Sequence, residues 1–234
     1  MNILEIILAL VAAILAITLH ETAHGFCALA LGDDTARKAG RLTLNPLAHI
    51  DRFGTIVLPA ILAIGQLVTI GRIAFMFGWA KPVPVAAWKF RDPRRGMMVV
   101  AAAGPAANFV LAWLTAVLLR LLPPLGETVA FAIGTFADSF ILYNLVLGLF
   151  NLLPIPPLDG GRIMVGLLPE KAAMRWAQLE RLGIVIVLLV VFLLPAVLND
   201  LFGIHFDPVG AVLNDLLPRV FDTVLWLAGY DQNA

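Results

Sequence analysis

Apolar residues in this chain fall in long runs rather than short alternations, and the run lengths predict helices that cross a bilayer. Residues 3–31 form the first run, interrupted only by Glu5 near its start and by His20, Glu21 and His24 further on. A second stretch, 54–77, carries Pro59, Gly65, Gly71 and Arg72. Residues 97–119 hold no charge, and a Pro-Pro-Leu-Gly turn follows at 123–126. Residues 128–158 are apolar except for Asp138 and end in Pro154, Pro156 and Pro157. Another uncharged run covers 182–199, with Pro195 late in it. In the tail, 207–230, Asp215, Arg219 and Asp222 share one helical stripe with apolar residues elsewhere. That pattern suits either a span facing a partner helix or an amphipathic helix on the surface. The polar segments 32–52, 78–96 and 160–181 are each shorter than the roughly 50 residues of a small independent domain. The pattern therefore predicts an all-α polytopic membrane protein forming one membrane-embedded domain over residues 1–234. About five to six membrane helices are expected, with a re-entrant or strand-like segment between the first and second full spans.

Composition narrows the class. The chain is 61% hydrophobic and 14% charged, with a mean hydropathy of +0.93, against about 25% charged residues in soluble domains. So much apolar surface does not fit inside one soluble core of 234 residues. Lys+Arg 16 balances Asp+Glu 16, so no basic excess is available for a nucleic-acid backbone. The lone cysteine, Cys27, excludes an internal disulfide framework and a thiolate-rich zinc site, and reads as an apolar filler. The N-terminus lacks the Lys/Arg of a signal peptide, and its apolar run is too long for an h-region. It is expected to stay in the mature protein.

Ionisable residues at membrane depth are costly and mark function by default. The first run holds three together, in His20-Glu21-Thr22-Ala23-His24. On a helix, i and i+4 stand one turn apart on one face, so both imidazoles reach a single ion. Glu21 is placed to act as a general base beside them, the H-E-x-x-H arrangement. With 4 His and 5 Glu in 234 positions, a random match has an expectation of about 0.0015. Histidines gluing helices together would not explain the carboxylate set between them. A catalytic zinc site needs a third protein ligand. His49 sits in a polar loop and His205 near the end of a different segment, so both are poor candidates. Asp159 is the better one. Three prolines dismantle the helix before it, and Gly160 and Gly161 permit an unusual turn. The competing reading of Asp159 is a cap for the next helix.

The motif at 20–24 and the stretch 151–161 (N-L-L-P-I-P-P-L-D-G-G) resemble the site-2 protease family of intramembrane zinc metalloproteases. Further matches lie in 40–51 (G-R-L-T-L-N-P-L-A-H-I-D), 78–85 (G-W-A-K-P-V-P-V) and 103–108 (A-G-P-A-A-N). Together they look like the short prokaryotic branch, without PDZ or CBS domains, over roughly residues 8–165. Arg52-Phe53 departs from the proline usual after Ile-Asp, and Ala86-Ala87-Trp88 departs from an Asn-Pro stretch. Neither touches the motif residues. The resemblance implies zinc held by His20, His24 and Asp159, with Glu21 as general base. It implies transmembrane protein substrates cut within or near the bilayer, and a prokaryotic plasma membrane as the location. A substrate helix must unwind to be cut, and an extended strand such as 78–85 is a natural receptor for it. Asn151 looks like the family's asparagine and reads either as a substrate contact or as interhelical glue. Asn108 lies four residues after Gly104 and reads chiefly as a packing position, and secondarily as a substrate contact.

Two rival classes remain at this point: a membrane metal-ion transporter, and a silent homologue that binds transmembrane helices without cutting them. Transporters are often built from repeats with broken helices in both halves; no second copy of either motif is present, and transport needs no Glu21. Charge suggests the topology. Arg37, Lys38, Arg41 and Arg52 precede 54–77, and Lys81, Lys89, Arg91, Arg94 and Arg95 follow it. Both flanks are therefore expected on the cytoplasmic side. The segment between them would dip in and out, and the active site would open toward the cytoplasmic leaflet.

Overall fold

The computed structural model describes residues 2–72, 78–204, 206–207 and 210–230. Helix α1 (Ile3–Ala30) begins at Asn2, whose side chain accepts from the Glu5 amide while the Glu5 carboxylate takes the Asn2 N–H, a reciprocal capping box. It ends where Gly32 adopts a positive φ of 100°, a conformation that closes the helix terminus at little cost only for glycine. After a short turn of helix, α2 (Thr35–Lys38), the chain enters a helix at Arg52–Val57 that continues as α3 (Leu58–Ile70). Two long helices follow, α4 (Pro93–Leu121) and α5 (Glu127–Asn151). Asp92 caps α4 by accepting from the Arg94 and Arg95 amides. The second half holds α6 (Asp159–Leu167), α7 (Glu170–Leu179), α8 (Gly183–Leu188), α9 (Leu194–Phe202) and α10 (Leu217–Leu227).

Among the described residues three helices, α1, α4 and α5, are long and apolar enough to cross a membrane. At about 1.5 Å per residue, the 28 residues of α1 run roughly 42 Å, beyond the ~30 Å hydrocarbon thickness. The three pack on one another as a bundle. Ala12 and Ala16 of α1 meet Phe136 and Phe140 of α5, and the ends of both helices then approach one site, so α1 and α5 run parallel. Val100 packs beside Ala28, whereas Leu111 packs near Ala12 and Ala16, so α4 runs antiparallel to them. The alanines at these contacts are 0–1% exposed. Small residues let helix backbones approach closely where lipid supplies no hydrophobic drive for association.

The run 182–199 expected as a further span is helical from Gly183 onward, but a π-helical stretch at Leu189–Leu193 separates α8 from α9. In the tail, α10 buries Val224 and, just beyond its end, Ala228 against Ala112, Ala116, Ile141 and Leu145. Trp113 Nε1 and Arg120 Nη1 donate to the carbonyls of Leu227 and Ala228. One face of the tail is thus covered by α4 and α5, while Asp215, Arg219 and Asp222 stay exposed, as do Leu216, Trp226 and Leu227. A strand-like element between the first two spans does not form among the described residues. Residues 78–86 are neither helix nor strand, since Pro82 and Pro84 lack the N–H a ladder needs.

Residues 31–92 begin and end in the same place. Asp33, fully buried, accepts from the amides of Thr35 (2.9 Å) and Ala86 (2.6 Å) and from Lys89 Nζ at 3.2 Å. Further along, the Trp79 amide donates to the Gly54 carbonyl at 3.2 Å, and Thr55 Oγ1 to the Trp79 carbonyl at 2.8 Å. The expected dipping segment, whose last residues 73–77 lie outside the described ones, therefore has its two flanks side by side.

Candidate metal centre

Three side chains converge inside the bundle near the C-terminal ends of α1 and α5. His20 Nε2 and His24 Nε2 lie 3.1 Å apart, and Asp159 Oδ2 is 3.2 Å from each. The residues are 4%, 9% and 7% exposed. The other nitrogen of each ring is committed. His24 Nδ1 donates to the Val100 carbonyl at 2.7 Å, and His20 Nδ1 donates to Asn108 Oδ1 at 2.6 Å. In a neutral imidazole this leaves both Nε2 atoms with lone pairs. Asp159 Oδ2 is buried without a hydrogen-bond donor. Three lone-pair atoms thus point at one spot, an arrangement that repels itself unless a cation sits between them.

The donor set fits zinc. Two imidazoles and a carboxylate leave a fourth position open, the pattern of catalytic zinc sites. Ligand atoms about 2.0–2.1 Å from a tetrahedral zinc stand roughly 3.3 Å apart, close to the separations of 3.1–3.2 Å here.

Local sequence explains how each ligand arrives. The histidines need only the helical period of α1. Asp159 needs the chain to turn sharply after α5, which stops at Asn151 ahead of Pro154, Pro156 and Pro157. Leu158 is the N-cap of α6 and Asp159 its first residue, one position too late for the cap the sequence reading allowed, and the Asp159 carboxylate turns to the two histidines. Gly160 and Gly161 are required for a reason other than the one their type first suggests, since neither has a positive φ. A Cβ on Gly161 would stand 2.8 Å from the Pro156 nitrogen, and one on Gly160 would overlap the Leu153 carbonyl. They are there because the returning chain leaves no room.

Glu21 follows His20 on α1, and its Oε2 accepts from the Val83 amide at 3.1 Å. The non-helical run 78–86 therefore passes over the motif, held there also by the Lys81 amide on the His49 carbonyl at 2.8 Å. Val83 is the sole residue of 82–84 with an amide hydrogen to give.

The remaining candidates fall elsewhere. His49 is buried with Nε2 on the Thr43 carbonyl, outside the cluster. His205 lies outside the described residues. Asn151 closes α5 with its amide donating to the Leu147 carbonyl at 3.0 Å. Asn108, read chiefly as a packing position and secondarily as a substrate contact, is fully buried, with Oδ1 on His20 and Nδ2 on Asn144 at 2.8 Å. Gly104, read from sequence as part of a packing face, belongs to the site. A Cβ there would sit 2.5 Å from His24 Nε2 and 2.6 Å from His20 Cε1. A glycine opposite the motif on the antiparallel helix was the only sequence sign of it.

The sequence model of peptidase family M50 matches residues 7–137 and 120–195. A Bacillus subtilis protein named "Putative zinc metalloprotease YwhC" is 45% identical over 186 residues, 78% of each chain. The Rip2 proteins, which carry the same description, are 32% identical in Mycolicibacterium smegmatis, over 84% of this chain and 70% of theirs. In Mycobacterium tuberculosis H37Rv the identity is 31%, over 82% and 68%. No solved structure matches. A buried cluster of two histidines and a carboxylate that fits zinc, set among bilayer-length helices, thus agrees with a match along most of the chain, which belongs to peptidase family M50, the membrane-embedded site-2 protease family of zinc metalloproteases.

Proposed function

We propose that this zinc metalloprotease hydrolyses peptide bonds within or near transmembrane segments of membrane-protein substrates. The observation carrying this reading is the place of the site: three buried side chains gathered among helices long and apolar enough to cross a bilayer, with Glu21 next to His20 on α1.

His20, His24 and Asp159 hold the zinc. When bound, zinc polarises the scissile carbonyl and lowers the pKa of water. Glu21 takes the water proton and delivers it to the leaving amine. The His24 and His20 Nδ1 protons stay on Val100 and Asn108 throughout and keep the rings aimed. A substrate helix shields its own peptide bonds, so it unwinds beside the run 78–86, and Asn151 contacts the unwound stretch. The single domain sits in a prokaryotic plasma membrane. The flanks of 54–77 face the cytoplasm, supported by their nine Lys/Arg residues and by the Gly54–Trp79 contact.

The test is zinc content and cleavage of a single-span substrate by detergent-purified protein. Glu21→Gln is expected to keep one zinc per chain and lose cleavage by at least 10²–10⁴-fold, the usual share of a general base. The His20→Ala, His24→Ala pair loses the metal. Stoichiometric zinc in that pair would sink the site; wild-type cleavage by Glu21→Gln would overturn the base.

A further inference from the structure

Two asparagines on different helices form a chain that ends on a metal ligand. Asn144 Nδ2 donates to the Phe140 carbonyl at 2.8 Å, Asn108 Nδ2 donates to Asn144 Oδ1 at 2.8 Å, and Asn108 Oδ1 faces His20 Nδ1 at 2.6 Å. Both asparagines are 0% exposed, so neither amide exchanges its partners for solvent. We infer that Asn144 is a positioning residue: acting through Asn108, it fixes the His20 tautomer that binds zinc.

The direction of the chain follows from its far end. A backbone carbonyl only accepts, so the Asn144 group on Phe140 is its NH₂, and its oxygen must point toward Asn108. An oxygen there demands the NH₂ of Asn108, which turns the Asn108 oxygen toward His20. That oxygen in turn demands a proton on Nδ1, and a neutral imidazole has only one to place. Nε2 is left with its lone pair, 3.2 Å from Asp159 Oδ2. His24 gets the same result in one step from the Val100 carbonyl. His20 has an amide beside it rather than a carbonyl, and an amide is reversible: flipped, it would offer NH₂ to Nδ1 and favour the tautomer that cannot bind. Asn144 removes that freedom. Helix glue would explain the Asn108–Asn144 bond but not why the pair continues to a ligand nitrogen at one end and a carbonyl at the other.

The inference rests on the zinc assignment, but its first test needs no metal. Nitrogen NMR of histidine-labelled, metal-free protein at mildly alkaline pH, with His20 assigned by comparison with His20→Ala, is expected to show Nδ1–H at His20. An Nε2–H tautomer there overturns the inference whether or not zinc binds, and this measurement stands if a variant fails to fold. The second test is zinc affinity. Asn144→Leu is expected to weaken binding by about 10–100-fold, the usual cost of losing an outer partner of a metal-binding histidine. In an Asn108→Asp background both oxygens accept, no orientation is needed, and adding Asn144→Leu leaves the affinity of that background unchanged. Wild-type affinity in Asn144→Leu, or an equal loss in both backgrounds, shows that Asn144 only packs.

Discussion

At Gly104 a single missing carbon makes the centre possible. Its Cα stands where any side chain would enter the space between the His20 and His24 rings. Gly104→Ala is a good substitution for a helix, worth up to about 1 kcal/mol by intrinsic propensity. Here it is expected to cost the metal. The added methyl pushes the imidazoles off their shared point, so zinc content falls to near zero while the helical circular dichroism holds. Full zinc occupancy in Gly104→Ala would show that the rings have room the packing denies. The motif itself is legible from sequence because i and i+4 meet on any helix. Gly104 is not, because its role depends on which face of α4 meets α1.

The elements around the site are held by a polar staple outside the membrane-spanning helices. Burial alone would push the Asp33 carboxyl up, but Thr35, the Ala86 amide and Lys89 outweigh that and hold it below the usual carboxylate range. A depressed folded pKa gives stability that is complete above the unfolded value of about 3.9 and is lost as pH falls through the folded value. Asp33→Ala is expected to cost about 3 kcal/mol at neutral pH, since it strands buried donors. The gap to wild type in thermal unfolding should narrow below about pH 4, where the unfolded chain takes up the proton, and close as pH falls through the lower folded value; a gap independent of pH would assign the loss to packing. The staple joins the two ends of residues 31–92, and this bears on topology. With α1 and α4 antiparallel and each read as one crossing, both flanks of 54–77 are expected on one face of the membrane. Single cysteines near Lys38 and Arg91, in a Cys27→Ala background, are expected to react from the same side of intact membranes. Labelling from opposite sides would refute the dipping segment.

Across the whole molecule, a metal held by His20, His24 and Asp159 would clamp α1 to the turn between α5 and α6. A zinc ion that bound these groups only once the bundle had brought them together would add about 2.7 kcal/mol at one hundred times its dissociation constant. Removing it with a chelator is expected to lower the melting temperature of the wild type and leave the His20→Ala, His24→Ala pair unmoved. An equal drop in both would place the stabilising metal elsewhere.

The chain by itself determined what depends on neighbours in sequence. Run length and hydropathy set α1, α4 and α5, the four-residue period set the histidine pair, and the prolines set where α5 stops. Tertiary structure decided what depends on distant partners: that the Asp159 carboxylate meets both histidines, that Asn108 faces His20, and that the Val83 amide meets Glu21. It also decided that 78–86 is not a strand and that the tail packs on α4 and α5. Hydrogen bonding and helical period are local and show in composition and spacing. Which lone pairs converge, and which Cβ would collide, depends on how antiparallel helices rotate against each other, and no local pattern encodes that.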